Sequence, residues 1–566
     1  MRTTYRLLLL FLSIPLLFLL SSCSPHSSNT ESYEVDPHFP VQAKRVALLP
    51  LDSRPACTVL PQRLARIGNI DLIIPPKDIL DHYHQPADRA QLRDWLQKEA
   101  QTTDTMIVSA DMLLHGSLLQ SRKNELTDED VTSMLNFLRT LRQEHPSLRL
   151  FVFHTIPRLL IADDEETEEY QSDMLAYSTL QEEIYLFDQP DLLEDLTELE
   201  EEIPQEIRDR YHHLYDRNRK TNEALLSLVA DGTIEYLVIG QDDGHVFGLP
   251  NLVKQHLDQQ VHRDTLLSER VEIVRGADEL AMLLVSRIAI EQSPSLSVYV
   301  AYGNEDMSSI VMPFMSQSVN TTVEEKLASV HALRASSADE ADYILYLYIG
   351  DDASDLDLPR TSADMIRRFD SKDKPIALVD LSQHFRASET LFPTLLEEGF
   401  PLHRLIAYAG WNTASNAIGT AVAQASLYTT KMKQARTPAE QLAIGQANLL
   451  FLNDRFLDDY YYMKLIQPYL KLRLSALLSD PYHLSMKSYY EANEWLGIAM
   501  QNQADLLSST TAYQTPFYLP LAKIDEPFVI SHLTVDASLP WERTFEANII
   551  TKILLKKLQK PVDISP

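Results

Sequence analysis

Cysteine is almost missing from this chain: Cys23 and Cys57 are the only two in 566 residues. Glycine is scarce as well, at 14 residues. No GxGxxG follows an apolar run, and P-loop, HExxH and GxSxG patterns are absent. Loops that cradle phosphates need backbone without a Cβ, so a nucleotide cofactor is not expected, and no metal signature is present either. Basic residues are outnumbered, 50 Lys and Arg against 81 Asp and Glu, for a net charge of −31. A chain this acidic lacks the basic surface that nucleic acid requires, and no nucleic-acid partner is expected. Beyond residue 20 no uncharged apolar run is long enough to span a bilayer.

The one long apolar run stands at the start. Arg2 and Arg6 precede Leu7–Leu20, which is interrupted only by Ser13 and Pro15, and Leu20-Ser21-Ser22-Cys23 follows. A positive segment, a short apolar segment and small residues ending on cysteine make a secretory signal, and the tetrapeptide resembles the bacterial lipobox. The expectation is a signal peptide over 1–22, cleavage before Cys23 and lipidation of Cys23. That implies an extracytoplasmic protein anchored to the cell membrane, or to an outer membrane if the host has one. Cleavage removes two arginines and no acid, which leaves −33. Residues 23–43, rich in Ser and Pro, read as a flexible tether. With Cys23 committed to lipid, Cys57 has no partner in the chain and reads as a small buried apolar residue.

The body alternates short apolar runs with helix-like stretches. The runs are Val46–Leu51, Asp71–Ile74, Thr105–Ser109, Leu148–His154, Glu235–Gly240, Val271–Val274, Ser297–Tyr302, Tyr343–Gly350, Ile376–Leu381 and Leu405–Tyr408. Most are apolar at neighbouring positions, the pattern of parallel strands buried on both faces. Alternation of strand and helix implies βαβ units. The fold class is therefore α/β, either two doubly wound, Rossmann-like subdomains divided near Arg275–Pro294 or an elaborated TIM-like barrel. The expected organisation is a first α/β domain at 44–290, a second at 291–430 and a mainly helical region at 431–566. The acidic stretch 163–203 reads as a solvated helical insertion in the first domain. Thr437-Pro438-Ala439-Glu440 is a capping-box start, and the tail reads as short strands followed by a final helix.

Parallel α/β folds bind ligands at the carboxyl ends of their strands. After the apolar runs come Asp52 and Arg54, then Asp111, His115 and Arg122, then His154 and Arg158, then Gln241-Asp242-Asp243-Gly244-His245, then Asp351-Asp352, and finally Trp411, Asn412 and Asn416. Arg217, Asn218 and Asn222 lie on a helical stretch, the two asparagines on one face. Asp242 and Asp243 are the focus. Adjacent carboxylates cannot both ionise freely, so one should rise towards neutrality and act as a general acid while its neighbour stays charged. Trp411 would offer a face for a sugar ring, and Asn412 an amide for its substituents.

The series Pro50-Leu51-Asp52-Ser53-Arg54-Pro55, Ser109-Ala110-Asp111-Met112-Leu113, Gln241-Asp242-Asp243, Gly276-Ala277-Asp278-Glu279 and Ala409-Gly410-Trp411-Asn412-Thr413 resembles a bacterial family known as domain of unknown function 4127. The likeness spans about Arg45 to Phe545. A second resemblance concerns chemistry. An aspartate pair at a strand end, with a later Trp and Asn, is similar to the retaining hexosaminidases that use the substrate's own acetamido group as nucleophile. That resemblance implies that Asp242 orients the acetamido group, Asp243 serves as acid/base and Asn412 binds the sugar. Three functions are carried forward. The first is a cell-envelope glycoside hydrolase acting on amino-sugar glycans. The second is a metal-dependent hydrolase built on Asp111, His115, Asp242, Asp243 and His245. The third is a non-catalytic glycan- or solute-binding lipoprotein, using Arg54, Arg122, Arg158 and Arg217.

Overall fold

The structure is a computed structural model, and it describes residues 32–35, 42–123, 126–161, 167–351, 357–518 and 527–558. The signal peptide, Cys23 and Asp352 lie outside the described residues. β1 (Ser32–Glu34) opens the described chain. β2 (Lys44–Leu49), β3 (Ile70–Ile73), β4 (Thr105–Ser109), β5 (Arg149–Ile156), β6 (Tyr236–Gln241) and β7 (Val271–Arg275) form one parallel sheet in the order β3-β2-β4-β5-β6-β7. β8 (Ser297–Tyr302), β9 (Leu333–Arg334), β10 (Tyr343–Gly350), β11 (Ile376–Ser382) and β12 (Leu405–Ala409) form a second in the order β12-β11-β10-β8-β9, also parallel. All ten apolar runs become strands, each within two residues of its expected ends.

Both sheets are open and doubly wound, so the barrel alternative falls. In chain order each begins 2-1-3-4-5, which places a topological switch point between β2 and β4 in the first sheet and between β8 and β10 in the second. The helices Leu280–Ile290 and Ala414–Gln434 pack against each other between the sheets and are buried along most of their length. A single apolar core runs from the first sheet through the second into the C-terminal helices, and a second core covers the opposite face of the first sheet.

The C-terminal region departs from expectation. Its helices are present, starting at the capping box that Thr437 and Glu440 form. Among the described residues the final helix is absent. β13 (Phe517–Tyr518), β14 (Pro527–Ser538) and β15 (Asn548–Lys557) make an antiparallel sheet, with β14 and β15 paired along most of their length. Ile549, Ile553 and Leu555 face inward while Lys552, Leu554 and Lys556 face out, a period of two that overrides the helix propensity of leucine and lysine. The tether also shortens. Its residues Ser32–Glu34 pair with β15, and Val35 is buried. Among the described residues no helix is long and apolar enough to cross a membrane.

Candidate active site

The chain bends sharply where β6 ends. The backbone N–H of Asp242 donates to Ile156 O at 3.0 Å, that of Leu159 to Asp243 O at 2.9 Å, and that of Gly244 to Phe314 O at 2.9 Å. The two aspartates are thereby pinned between the end of β5 and the loop after β8. Gly240 and Gly276 make the bend possible. A Cβ on Gly240 would lie 2.3 Å from Gly276 O, and Gly276 itself has φ +98. A narrow cleft of about 10 Å3 opens here, room for roughly one water, so a sugar ring enters only if the surrounding loops part. Asp242, Asp243, Gly276 and Arg275 form one wall, and Phe314, Ser316 and Ser415 form the other. The carboxyl ends of both sheets therefore line the same hollow.

The two carboxylates are in different states. Asp242 is buried, which alone would raise its pKa. The Arg122 guanidinium at 2.7 Å, the Asp243 N–H at 2.9 Å and the charge of Arg158 more than offset this and hold it below the usual carboxylate range. Asp243 is pushed up to about 7 by burial and then by the Asp242 charge, with Arg122 opposing. A charged aspartate and one that is about half protonated thus stand side by side near neutral pH.

A buried charge relay adjoins the pair. Arg54 donates through Nε to Asp52 at 2.8 Å and through Nη2 to Asp278 Oδ1 at 2.6 Å. Burial alone would lower the pKa of Arg54, but Asp278 and Asp52 raise it well above the ordinary value. β2 and β7 stand four strand positions apart, roughly 19 Å at the usual spacing, so Arg54 ties together loops that the sheet keeps distant. Asn416 Nδ2 donates to Asp278 Oδ2 at 3.4 Å, which adds the second sheet to the relay. Burial, then the charge of Asp52, pushes Asp81 up to about 8, while its Oδ1 accepts the Ser53 N–H at 2.7 Å. The tail closes over this end. Trp541 Nε1 donates to Ser53 Oγ at 3.1 Å, and its ring stacks on Tyr83.

Other expected site residues lie elsewhere. Asp111 accepts from Thr155 N and Oγ1 at 3.0 and 2.8 Å, and His154 Nε2 is 3.7 Å from it. Asn222 holds His154 Nδ1 at 2.9 Å and Asn218 donates to Thr155 O at 2.7 Å. Asn218 and Asn222, expected from their spacing to share a helix face, are thus a buried brace behind β5 and do not face a substrate. His115 is half-buried, and burial, then Arg217 and His154, keeps it neutral by lowering its pKa well below the usual range. Arg217 donates to Lys123 O and Arg158 to Ile161 O. Trp411 is 7% exposed and packs in the main core, so its face is closed to a sugar. Asn412, half-buried at φ +48, stays at the surface of that turn.

The five residues of the metal reading do not come together. Among the described residues the only group of three potential ligands is Asp52, Cys57 and Asp278, and Arg54 already occupies the space between its two carboxylates. Cys57 is buried, and burial, then Asp52 and Asp278, raises its thiol well above the usual range, so it is no nucleophile. The anion-capture reading loses Arg54 and Arg122 to carboxylates in the same way. Sequence reasoning met Asp278 only within a family-like motif and gave it no role, and it missed Asp81. It also gave the acidic insertion no role, yet Glu182 accepts from Asn251 Nδ2 at 2.8 Å and from the Gly248 N–H, bracing the loop that follows Asp243.

The buried acids set a pH dependence of stability. Asp81, Asp243 and Asp278 keep their protons to about 8, about 7 and about 6 in the fold, whereas an unfolded aspartate ionises near 3.9. Between those values the unfolded chain binds fewer protons, so stability falls as pH rises from roughly 4 to 8. Chemical denaturation is expected to show the protein on the order of 2 kcal/mol or more stabler at pH 5 than at pH 8. A flat profile, or one rising over that window, would contradict this assignment.

Fold and site together define an α/β protein of two parallel, doubly wound sheets with a carboxylate and arginine cleft between their carboxyl edges. The chain belongs to the family described as protein of unknown function (DUF4127), which it matches over residues 46–550. No curated protein and no solved structure matches it.

Proposed function

We propose that this chain is an extracytoplasmic lipoprotein, anchored through Cys23, whose cleft hydrolyses glycosidic bonds in amino-sugar-containing glycans. The observation that carries the reading is the division of charge between Asp242, held ionised by Arg122, and Asp243, raised to about 7. A glycosidic oxygen must gain a proton as its bond to the anomeric carbon breaks, and a carboxyl titrating near neutrality is suited to give it. Asp243 donates that proton to the leaving oxygen. The substrate's acetamido oxygen attacks the anomeric carbon, while the Asp242 carboxylate accepts the acetamido N–H and stabilises the positive charge that develops. Water then displaces the acetamido oxygen from the anomeric carbon, restoring the free acetamido group, and Asp243 takes a proton from that water. Asn412, half-buried just before the helix after β12, offers its amide to the sugar; Asn416 is buried with its amide on Asp278, and Trp411 contributes packing only.

The test is hydrolysis of chromogenic N-acetyl-amino-sugar glycosides and peptidoglycan fragments across pH. The rate should be level through mildly acidic pH and fall about tenfold per unit above about 7, as Asp243 loses its proton. No turnover of any such glycan, or a rate that climbs through pH 8, would sink the proposal.

A further inference from the structure

A second cavity, of about 600 Å3, lies at the opposite end of the strands from the cleft. Lys44 and Ile70 bound it at the starts of β2 and β3, and Lys431 and Arg436 at the junction of the helices Ala414–Gln434 and Pro438–Arg455. Its wall carries four cations, Lys44, Arg66, Lys431 and Arg436, and two carboxylates, Glu291 and Glu440. Both carboxylates are engaged. Glu291 takes both terminal nitrogens of Arg149, at 2.6 and 2.7 Å. Glu440 Oε2 accepts the backbone N–H groups of Arg436 and Thr437, at 2.7 and 3.2 Å. None of the four cations is paired with a carboxylate among the described residues. Burial and then the charge of Lys44 lower the pKa of Lys431, and burial also lowers that of Lys44, with Glu291 pulling it back and Arg149 adding to the fall.

Lys44, Arg66 and Arg436 are exposed and Lys431 is half-buried, so water screens their mutual repulsion, but among the described residues no carboxylate pairs with any of them to offset it. Complementing a helix carboxyl end explains the last-turn residues Arg66 and Lys431, but not Lys44 or Arg436. The rest of the wall is mixed: Ile67, Ile70, Ile288 and Ile444 give it an apolar patch, while residues such as Gln42 and Gln292 are polar. The complement is a multiply charged, oxygen-rich head on an apolar body. A lone carboxylate would leave most of the donors unused, whereas a phosphate can meet several at once.

We propose that this cavity binds an organic phosphate, with its phosphate among Lys44, Arg66, Lys431 and Arg436 and its apolar substituent against the isoleucine wall. The same chemistry is offered by the headgroup of a membrane lipid and by a free organic phosphate.

The full chain, purified in neutral detergent, is titrated calorimetrically with inorganic phosphate, dihexanoyl phosphatidic acid and hexanoate. Saturable binding of the phosphatidate is expected. It should be about tenfold tighter than inorganic phosphate and should weaken about tenfold in K44Q and again in K431Q, as losing a charged contact does. Flotation of residues 24–566, which lack the signal peptide and the anchor cysteine but keep every described residue, with phosphatidylcholine vesicles, with and without phosphatidic acid, then identifies the source. Recruitment that depends on phosphatidic acid and on both lysines marks a membrane lipid; saturable binding in solution without it marks a free phosphate. No saturable phosphate binding, hexanoate binding as tightly as phosphatidate, or full affinity in the lysine variants would each overturn the proposal. Removing mutually repelling lysines should leave the melting temperature unchanged or raised. If K431Q nevertheless fails to fold, R436Q at an exposed position provides the same comparison.

Discussion

Asp243→Asn should lower kcat on an amino-sugar glycoside by about 10²–10⁴-fold, the range a positioned general acid supplies, and should make the protein more stable at pH 8. The two effects share one cause. Burial and the Asp242 charge raise the Asp243 carboxyl to about 7, so the fold resists an ionisation that the unfolded chain completes near pH 4. Above pH 7 that resistance is fully present as lost stability, and at pH 4 it is absent. An asparagine has nearly the same shape and no charge to lose. Its stabilising effect should therefore appear above pH 7 and vanish near pH 4, a dependence that a packing change would not produce. The readouts separate the claims. Unchanged turnover with the stability shift intact would remove Asp243 from the chemistry while keeping the electrostatics. Loss of turnover with no pH-dependent shift would mean that the variant fails for another reason.

The parts of this architecture that could be read in sequence are those whose physics is local. Strands such as Tyr343–Gly350 are buried at every position, and unbroken apolar runs are what double coverage requires. Asp242 and Asp243 are adjacent in the chain, so their mutual perturbation follows from the sequence alone. What was hidden depends on distance or on shared appearance. Asp278 sits in Gly-Ala-Asp-Glu after a strand, which looks like helix-start material, and its partner Arg54 is 224 residues away. Only its place among the family-like motifs marked it out. Trp411 failed as a sugar platform because an aromatic after a strand reads the same whether it faces solvent or core. Asn218 and Asn222 share a helix face as their spacing required, but spacing cannot say that β5 lies beneath that face. β15 was misread because its leucines and lysines favour a helix, and its partner β14 lies across a turn that no local pattern announces.

Arg54→Met should be the most damaging single change to the fold, costing about 3–5 kcal/mol at pH 8, the range for breaking a buried ion pair from one side. The side chain is 8% exposed and serves two buried carboxylates, Asp52 at 1% exposed and Asp278 at 8%. Methionine fills much of the volume, so the loss measures charge rather than packing. Two buried carboxylates would then face each other with their shared cation gone, and Asp278 would favour protonation further. Asp278 already titrates at about 6 with Arg54 present. Without it the folded pKa rises further, so the penalty should be largest at pH 8 and shrink towards pH 5, where a proton replaces the guanidinium. Adding Asp278→Asn to Arg54→Met should recover part of the loss at pH 8 and little at pH 5, since it removes a charge that acid has already removed. Urea midpoints for wild type, both singles and the double at those two pH values close the cycle. Equal losses at both pH values, with no recovery in the double, would show that Arg54 acts through its shape. In that case the link it makes between the loops after β2 and β7 would be mechanical rather than electrostatic.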